Sequence, residues 1–423
     1  MTQPDMPRPP KLRDDCFALP AGVDWTPVDE ALALLNAAID CVVGVEQVSH
    51  ANVVGRILAQ PVTARRSNPP APNSAVDGYG FAHEATGEGD QLLPLTDGRA
   101  AAGAAYGGSV PQGSAIRILT GAILPEGVDT VVLEEDCNVT ATHVAFRGPL
   151  RPRANTRKAG EDVVKGAEVF AKGHMLRAQD AGLLAALGVD EVQVFKPLRV
   201  GVLSTGDELV TPDIEAPADR TYDANRPMLL QVAKAWGCEA VDLGHIRDDR
   251  DALAAGLDDA AQRCDIILTS GGASAGDEDH VSALLREQGN LQAWRIALKP
   301  GRPLALAMWQ GVPVLGLPGN PVAAFVCAVM FARPACLKLA GAAWQDPQGF
   351  LVPAAFEKRK KPGRREYLRA RMGPSGVEVF ASEGSGRISG LSWSEGLVEL
   401  PDGEAVIAQG DLVRYIPYRS FGL

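Results

Sequence analysis

The sequence is poor in cysteine and has no segment typical of a metal centre, a membrane span or an export signal. Its seven cysteines are scattered over 423 residues, and none falls in a C-x-x-C or Cys/His spacing. The usual zinc and iron–sulfur proteins are therefore excluded. The longest strongly apolar run, residues 322–332, is far shorter than the ~20 residues that cross a bilayer. The N-terminus also lacks the apolar stretch of a secretory signal, so we expect a cytoplasmic protein with reduced thiols.

Positive charge is in deficit as well. The chain has 41 Lys and Arg against 52 Asp and Glu, which gives a net charge of −11 and a pI near 5.2. This balance disfavours nucleic acid and anionic membranes as partners, because both attract an excess of basic residues. A content of 46% hydrophobic and 22% charged residues is ordinary for a globular protein. The length suggests roughly three domains at about 150 residues each.

Common nucleotide and hydrolase motifs are also missing. The chain has neither a G-x-x-x-x-G-K-[ST] phosphate loop nor a G-x-G-x-x-G fingerprint. Residues 272–276 (GASAG) fit the G-x-S-x-G nucleophile motif, but that fold needs an acid and then a histidine further along the chain. The only later histidine is His280, on the same loop. A serine hydrolase is therefore excluded.

Residues 197–340 alternate β-type runs with helical ones, which predicts a doubly wound, mostly parallel sheet covered on both faces. Two helix boundaries support this interpretation. Asn225 is predicted to cap a helix that Gly237 ends, and Asn320 followed by Pro321 predicts the start of the last helix.

Shorter β-type runs lie on either side of this region, so we predict a multidomain α/β protein. A helix is expected over residues 27–39, and hairpins without a helix are expected after residue 349. The predicted division is a flexible tail (1–23), an N-terminal mixed domain (24–65 with 159–196), an inserted small β module (66–158), the α/β domain (197–342) and a C-terminal β-barrel-like domain (343–423).

Three polar loops follow predicted strands of the α/β domain: residues 204–208 (STGDE), 270–280 (SGGASAGDEDH) and 318–321 (PGNP). Ligands of open α/β sheets bind outside the carboxyl ends of the strands. Gly, Ser and Thr in such loops can present N–H and O–H groups to an anion. We therefore predict binding by the hydroxyl and glycine residues of these loops, namely Ser204, Thr205, Gly206, Gly271, Gly272 and Ser274.

Charged residues accompany these loops. Glu208, Asp277 and Asp279 supply the carboxylates that Mg²⁺ prefers beside a bound phosphate. Lys299 and Arg302 add positive charge near the next strand. Elsewhere, composition favours a structural interpretation: residues 247–251 (RDDRD) complement a helix dipole, and two polar loop residues, Asp77 and Thr120, stabilise turns.

The ordered motifs nevertheless resemble a known family. They include NSAVDGYG, RILTGAILPEGVDTVV, RKAGED, GVLSTGDEL, YDANRPMLL, GHIRDD, TSGGASAGDEDH, ALKPGRPLALA and GLPGNPVAA. From about residue 24 to the end, the chain resembles the molybdopterin molybdenumtransferases, the MoeA and gephyrin E-domain family. The resemblance makes the α/β domain a molybdopterin-binding one.

The resemblance implies the last step of molybdenum cofactor assembly. Adenylylated molybdopterin is bound, AMP is released in a Mg²⁺-dependent reaction, and molybdate is ligated by the pterin dithiolene. It further implies a homodimer with a shared active site, and contacts with the adenylyltransferase of the preceding step and with molybdoenzyme chaperones. Molybdate is a tetrahedral dianion, so N–H groups and lysines suit it as they suit phosphate.

Site residues follow from the same resemblance, position by position. The catalytic candidates are Asp279, Glu208, Asp248, Asp77 and Thr120. Further binding candidates are Lys299, Arg295, Arg302, Pro318, Pro321, Arg157 and Asp162, and the metal candidates are Asp279, Glu208 and Asp277. Position 295 is Arg where the family pattern has Lys, which replaces a point charge with a planar fork. Arg365, Arg369 and Ser389 are candidates in the C-terminal domain.

Two other functions stay open. The segment SGGASAGDEDH also resembles the enzyme that adenylylates molybdopterin, although the extra domains at both ends argue against that function. A non-catalytic scaffold of the gephyrin kind is the second. It would be marked by a fused second sheet domain and a long linker, and the sequence has neither.

Overall fold

The structure, a computed structural model, describes residues 25–271, 280–288, 292–294, 296–301 and 304–423. The chain divides into two compact units. The smaller unit is residues 45–194, and the larger unit joins the residues before 45 to those from 195 onward. The predicted tail, residues 1–23, lies outside the described residues, and the predicted domain boundaries stay predictions.

Helix α1 (Val28–Ala38) opens the described part of the larger unit. Its buried residues Val28, Ala31 and Leu35 recur at helical spacing, and acidic residues fill its first turn. The helix predicted over residues 27–39 is therefore confirmed.

The smaller unit is mainly β-structure, and its described residues form four hydrophobic clusters. Its six-stranded sheet has the order β7-β4-β6-β5-β9-β8, and Phe81 stacks on Phe146 in its core. Another cluster forms around Leu58, Leu184 and Val194. The elements are β1 (Val45–Ser49), β2 (Val62–Thr63), β3 (Asn73–Ser74), β4 (Gly78–Phe81), β5 (Gly89–Ala100), β6 (Ala115–Ile118), β7 (Thr130–Leu133), β8 (Asn138–Val139), β9 (His143–Gly148), β10 (Thr156–Arg157), β11 (Glu168–Phe170), α2 (Ala178–Ala186) and β12 (Glu191–Phe195), with 3₁₀ turns at His50–Asn52, His83–Ala85 and Glu134–Asp136.

The larger unit contains the predicted α/β domain. Its elements are β13 (Arg199–Thr205), β14 (Leu209–Val210), β15 (Thr221–Tyr222), α3 (Asn225–Ala235), β16 (Glu239–Ile246), α4 (Arg250–Arg263), β17 (Ile266–Ser270), α5 (His280–Gln288), β18 (Gln292–Trp294), β19 (Leu298–Lys299), β20 (Leu304–Trp309), β21 (Val312–Leu317), α6 (Pro321–Cys327) and α7 (Arg333–Leu339).

The six-stranded sheet of this domain has the order β16-β13-β17-β21-β20-β18. The first four strands are parallel, which confirms the predicted βαβ arrangement, whereas β20 and β18 run antiparallel to their neighbours. Only Gln310 and Gly311 join β20 to β21, and both have positive φ angles. A two-residue turn connects antiparallel strands, since a parallel crossover needs a dozen residues or more.

Helices α6 and α7 are joined by a π-helical turn, Ala328–Ala332, into one apolar stretch. By length and composition the 19 residues Pro321–Leu339 could cross a membrane, but 89% of the apolar window is buried inside the protein. The stretch is therefore typical of a core helix. Its start is as predicted, because Asn320 precedes Pro321 at the first helical position, although the Asn320 side chain makes no capping hydrogen bond.

The predicted cap at the start of α3 is wrong. Ala224 occupies the N-cap position, and Asn225 is the first helical residue. Its side chain bonds elsewhere, to groups described below. The predicted end is confirmed, because Gly237 follows the last turn with a φ of 79°.

The C-terminal region contains β22 (Phe350–Pro353), β23 (Lys358–Lys360), β24 (Arg365–Gly373), β25 (Gly376–Val379), α8 (Ser389–Trp393), β26 (Gly396–Leu400), β27 (Ala405–Ile407) and β28 (Leu412–Pro417), then a 3₁₀ turn, Tyr418–Phe421. Its main sheet has the order β19-β24-β26-β28-β22, with β25 also on β24. A bridge between Ala354 and Val377 joins the two sides of this sheet, which confirms the barrel-like prediction. The short helix α8 was not predicted.

Candidate functional site

Three loops leave the central sheet at one edge. Ser204 at the end of β13 pairs with Ser270 at the end of β17, and Ser270 pairs with Leu317 at the end of β21. Residues 204–206, 270–271 and 318–320 therefore lie side by side, and we call them the sheet edge. The structure thus brings together the predicted residues Ser204, Thr205, Gly206, Gly271, Pro318 and Pro321, whose roles stay predictions.

Two glycines of the sheet edge adopt positive φ angles, and one of them, Gly271, lies close to the loop after β13. Gly271 has a φ of 94°, and a Cβ on it would lie 2.7 Å from the carbonyl oxygen of Thr205. Gly206 has a φ of 137°. Because such angles strain any residue with a side chain, glycine is required at both positions.

Asn225 belongs to this site, although the sequence predicted only a helix-capping role for it. Its Nδ2 donates hydrogen bonds of 2.8 Å to the Ser270 hydroxyl and of 2.8 Å to the Gly319 carbonyl. The side chain thereby fixes the end of β17 to the loop after β21. The signal in the sequence was its place inside YDANRPMLL, a motif that a capping role does not need.

Several buried polar atoms of the sheet edge and of the adjoining Asn225 lack a hydrogen-bond partner within the described part of the chain. They are Oγ of Ser204, Oγ1 of Thr205, Oδ1 of Asn225 and Oδ1 of Asn320. A buried polar group left unpaired costs about 1–3 kcal/mol. Hydroxyls and amide oxygens in this state favour a polar ligand at the sheet edge.

Carboxylates gather beside the sheet edge. Asp248 donates its backbone N–H to Oδ1 of Asp207 over 3.3 Å. Burial, followed by the negative charges of Asp207 and Glu208, raises the pKa of Asp248 above its ordinary value. We call Asp207, Glu208 and Asp248 the acidic group. The next residue, Asp249, caps α4 by accepting a hydrogen bond from the Ala252 N–H, so the dipole interpretation of this run applies to Asp249.

The acidic group offers the oxygen donors that Mg²⁺ prefers. In the described ranges, however, no set of three or more His, Cys, Asp or Glu residues has the geometry of a metal site. Six predicted residues lie outside the described residues: Gly272, Ser274, Asp277, Asp279, Arg295 and Arg302. The described residues alone therefore complete no Mg²⁺ site.

Lys299 lies in a second polar region, where β19 pairs with β24 of the barrel. Its Nζ is 2.8 Å from Glu383 Oε2 and 3.3 Å from Glu366 Oε1. Lys358 also contacts both glutamates. These four residues form the charge cluster, and three of them, Lys299, Lys358 and Glu383, help to line a cavity of about 210 Å³.

The three C-terminal candidates have separate structural surroundings. Arg365 forms ion pairs with Asp29 of α1 and with Asp402. Arg369 donates to the backbone carbonyls of Arg387, Ser382 and Gly384, and its guanidinium lies 4.8 Å from the Phe380 ring centroid. Ser389 begins α8.

The smaller unit brings Asp77 and Thr120 together. Oδ1 of Asp77 accepts hydrogen bonds of 2.6 Å from the Thr120 hydroxyl and of 2.6 Å from its N–H. These bonds lower the pKa of Asp77. Arg157 lies on β10, opposite Asn73 of β3, and Asp162 accepts a hydrogen bond from the Asn68 amide.

Comparison with known proteins agrees with this architecture. Three family models match the chain: "MoeA N-terminal region (domain I and II)" over residues 26–188, "Probable molybdopterin binding domain" over residues 201–338 and "MoeA C-terminal region (domain IV)" over residues 352–418. The fold and the sheet edge are thus those of a protein with a molybdopterin-binding-type α/β domain between two MoeA regions. The chain belongs to the MoeA family, which confirms the resemblance.

Individual relatives cover most of the chain. The molybdopterin molybdenumtransferase of Haemophilus influenzae is 33% identical over 86% of this chain and 91% of its own length. The protein of the same name from a Nostoc species is 32% identical over 84% and 85%. The crystal structure of a molybdopterin biosynthesis MoeA protein from Pyrococcus horikoshii OT3 has a TM-score of 0.81 and 28% identity, and covers 93% of this chain and all of that one.

Proposed function

We propose that this chain is a molybdopterin molybdenumtransferase, which transfers molybdenum from molybdate to adenylylated molybdopterin and releases AMP. The observation that carries the proposal is the sheet edge, where three strand ends meet with unpaired buried polar atoms in a domain of the molybdopterin-binding family. Relatives with this name at 32–33% identity over most of the chain support it.

The sheet edge is assigned to the phosphoanhydride of the substrate, which joins the pterin phosphate to the phosphate of the AMP group. Hydroxyl groups of Ser204 and Thr205 and the backbone beside Gly206 and Gly271 can donate hydrogen bonds to phosphate oxygens. Asn225 has no part in the chemistry itself. It holds the Ser270 and Gly319 segments at one spacing, which keeps the ligand positioned for attack.

We assign AMP release to the acidic residues beside this edge, with Asp279 in the central role and with Glu208 and Asp248 next to it. Mg²⁺, held by Glu208, Asp277 and Asp279, would neutralise charge on the phosphoanhydride as it breaks. The raised pKa of Asp248 reflects burial and crowding of negative charge, a situation that a divalent cation relieves.

Molybdate is assigned to the neighbourhood of Lys299, together with Arg295 and Arg302. Its entry between the barrel and the α/β sheet would bring a tetrahedral dianion to fixed positive charge. We further propose a homodimer with a shared active site, in which Asp77, Thr120, Arg157 and Asp162 contribute. The cytoplasmic location and the contacts with an adenylyltransferase and with chaperones stay predictions.

The decisive experiment supplies purified protein with adenylylated molybdopterin, Mg²⁺ and molybdate. AMP release, together with cofactor that activates an apo-molybdoenzyme, is the expected result. Adenylylation of free molybdopterin with ATP would instead assign the chain to the preceding step. If the protein catalysed neither reaction, the scaffold function would remain.

The dimer has its own test. An Asp77→Asn variant and an Asp279→Asn variant, each inactive alone, should regain activity when mixed under conditions that exchange subunits, because one mixed site is intact. Chains that run as monomers in light scattering at working concentration, and no recovery on mixing, would contradict the shared site.

A further inference from the structure

The charge cluster consists of two cations and two carboxylates that contact one another in alternation. Lys299 and Lys358 each contact both Glu366 and Glu383. The two oxygens of Glu383 are divided between the two ammonium groups, with Oε2 on Lys299 and Oε1 on Lys358. Since the four charges cancel, the cluster as it stands offers an external dianion no net positive charge.

The two glutamates differ in how firmly they are placed. The side chain of Glu366 is 10% exposed and lies on β24, whereas that of Glu383 is 48% exposed and lies on the loop after β25. Both lysine side chains are largely buried, at 15% and 11% exposure. Glu383 can therefore leave into water, but Glu366 and the lysines cannot leave without losing buried partners.

The Glu383 loop is held by its backbone. Arg369 donates to the carbonyls of Ser382 and Gly384, on either side of Glu383, and to that of Arg387. These contacts fix the main chain and leave the Glu383 side chain to turn about its own bonds. Burial alone would raise the pKa of Glu383, but hydrogen bonds from Lys299 and Lys358 lower it below its ordinary value, so the carboxylate is charged at neutral pH.

We propose that Glu383 is a built-in competitor for the molybdate that binds at Lys299, and that Lys358 is the second cation of that anion site. The carboxylate bridges the two ammonium groups with two oxygens, as a tetrahedral oxyanion also can. A dianion is attracted more strongly to the two lysines than the singly charged Glu383 carboxylate is, whereas a monoanion is not. The need to displace Glu383 therefore selects for dianions. This inference rests on the proposed role of Lys299.

The test compares molybdate binding in four full-length proteins by calorimetric titration. Glu383→Gln removes one negative charge and keeps the shape, so the dissociation constant for molybdate should fall by about tenfold relative to the unmodified chain. Adding Lys358→Gln to Glu383→Gln should reverse this gain. The matched control is Glu378→Gln, which breaks an ion pair with Arg371 on the same barrel and should change the constant less than about twofold.

Chloride, a monoanion, distinguishes the proposed selection for dianions from a general gain in anion binding. The Glu383→Gln protein should bind chloride relatively better than the unmodified chain does, because a monoanion no longer has to displace a carboxylate. A dissociation constant for molybdate that is unchanged or raised in a stably folded Glu383→Gln protein would overturn the inference. So would full retention of the gain after Lys358→Gln.

The outcome is separable from that of the proposed function. Tighter molybdate binding in Glu383→Gln, in a protein that releases no AMP, keeps the competitor and rejects the enzyme assignment. AMP release with an unchanged KM for molybdate in Glu383→Gln does the reverse.

Discussion

The sheet edge and the charge cluster differ in how their polar groups are satisfied. At the sheet edge, buried hydroxyl and amide oxygens lack partners within the described residues, whereas every charge of the cluster contacts two opposite charges. We therefore propose that the sheet edge receives its missing hydrogen bonds from a ligand. In the charge cluster, the ligand is proposed to replace the Glu383 carboxylate. The affinity for the ligand is then the difference between its binding free energy and that of Glu383.

The largest expected effect comes from breaking the sheet edge at Asn225. Asn225→Ala removes both hydrogen bonds that join Ser270 to Gly319. We expect AMP release to fall by about a hundredfold through loss of alignment, and the free energy of unfolding to fall by about 1–3 kcal/mol. The control is Gln193→Ala, which removes an exposed hydrogen bond between the side-chain amides of Gln193 and Gln47. A turnover within threefold of the unmodified rate would contradict the positioning role.

Next in size is a steric change at the same edge. Gly271→Ala places a Cβ 2.7 Å from the Thr205 carbonyl at a positive φ, which costs about 1–3 kcal/mol and displaces the loop. The unfolding temperature should fall, and the KM for adenylylated molybdopterin should rise. Gly403→Ala, where a Cβ would meet nothing within 4 Å, should leave both within error. Equal behaviour of the two variants would mean that the close approach is unimportant.

The Lys299→Gln variant tests the charge cluster in the same way that the preceding variants test the sheet edge. The variant removes one of the two lysines that contact both Glu366 and Glu383, so we expect the KM for molybdate to rise about tenfold or more, with binding of adenylylated molybdopterin nearly unchanged. Steady-state kinetics with each substrate varied in turn separates the two effects. Loss of binding for both substrates would show that the regions do not act separately.

The smallest effects concern two neighbouring carboxylates, Asp248 and Asp249, whose removal should change the stability of the protein in opposite directions. Burial, Asp207 and Glu208 raise the pKa of Asp248, so its contribution to stability is present below the unfolded pKa and is lost as pH rises through the folded pKa. At pH 7, Asp248→Asn should therefore unfold at a slightly higher temperature than the unmodified protein. This advantage should vanish in acid below the ordinary aspartate pKa.

The matched variant is Asp249→Ala, which removes the cap of α4. It should lower the free energy of unfolding by about 1 kcal/mol at pH 7. Thermal unfolding at two pH values checks both variants. Destabilisation by Asp248→Asn at pH 7 would contradict the crowding of charge around Asp248.

Much of this architecture was predictable because the strand runs are strongly apolar and their loops carry the motifs. Ser204, Ser270 and Pro318 meet because parallel strands end at one edge, a rule that needs only strand order. The antiparallel β20 was also predictable, since Gln310 and Gly311 leave no room for a crossover. The direction of this strand was nevertheless not predicted.

Other features depend on tertiary contacts that no local pattern carries. Asn225 has the chemistry of a cap, and only packing shows that its amide donates to groups 45 and 94 residues away. The pairing of Lys299 with Glu383 joins residues 84 positions apart in the sequence. Lysine and glutamate are common throughout any sequence, so only the three-dimensional structure shows which of them form ion pairs.

The pairing of β19 with β24 has a mechanical consequence. Leu298 and Lys299 pair with Arg365 and Glu366 of the barrel, although they lie between elements of the central domain in the chain. A rotation of the barrel would therefore carry the Lys299 ammonium along its arc, towards or away from the strand ends. Under the proposed assignments, the distance between molybdate at Lys299 and the pterin at the sheet edge therefore depends on the orientation of the barrel.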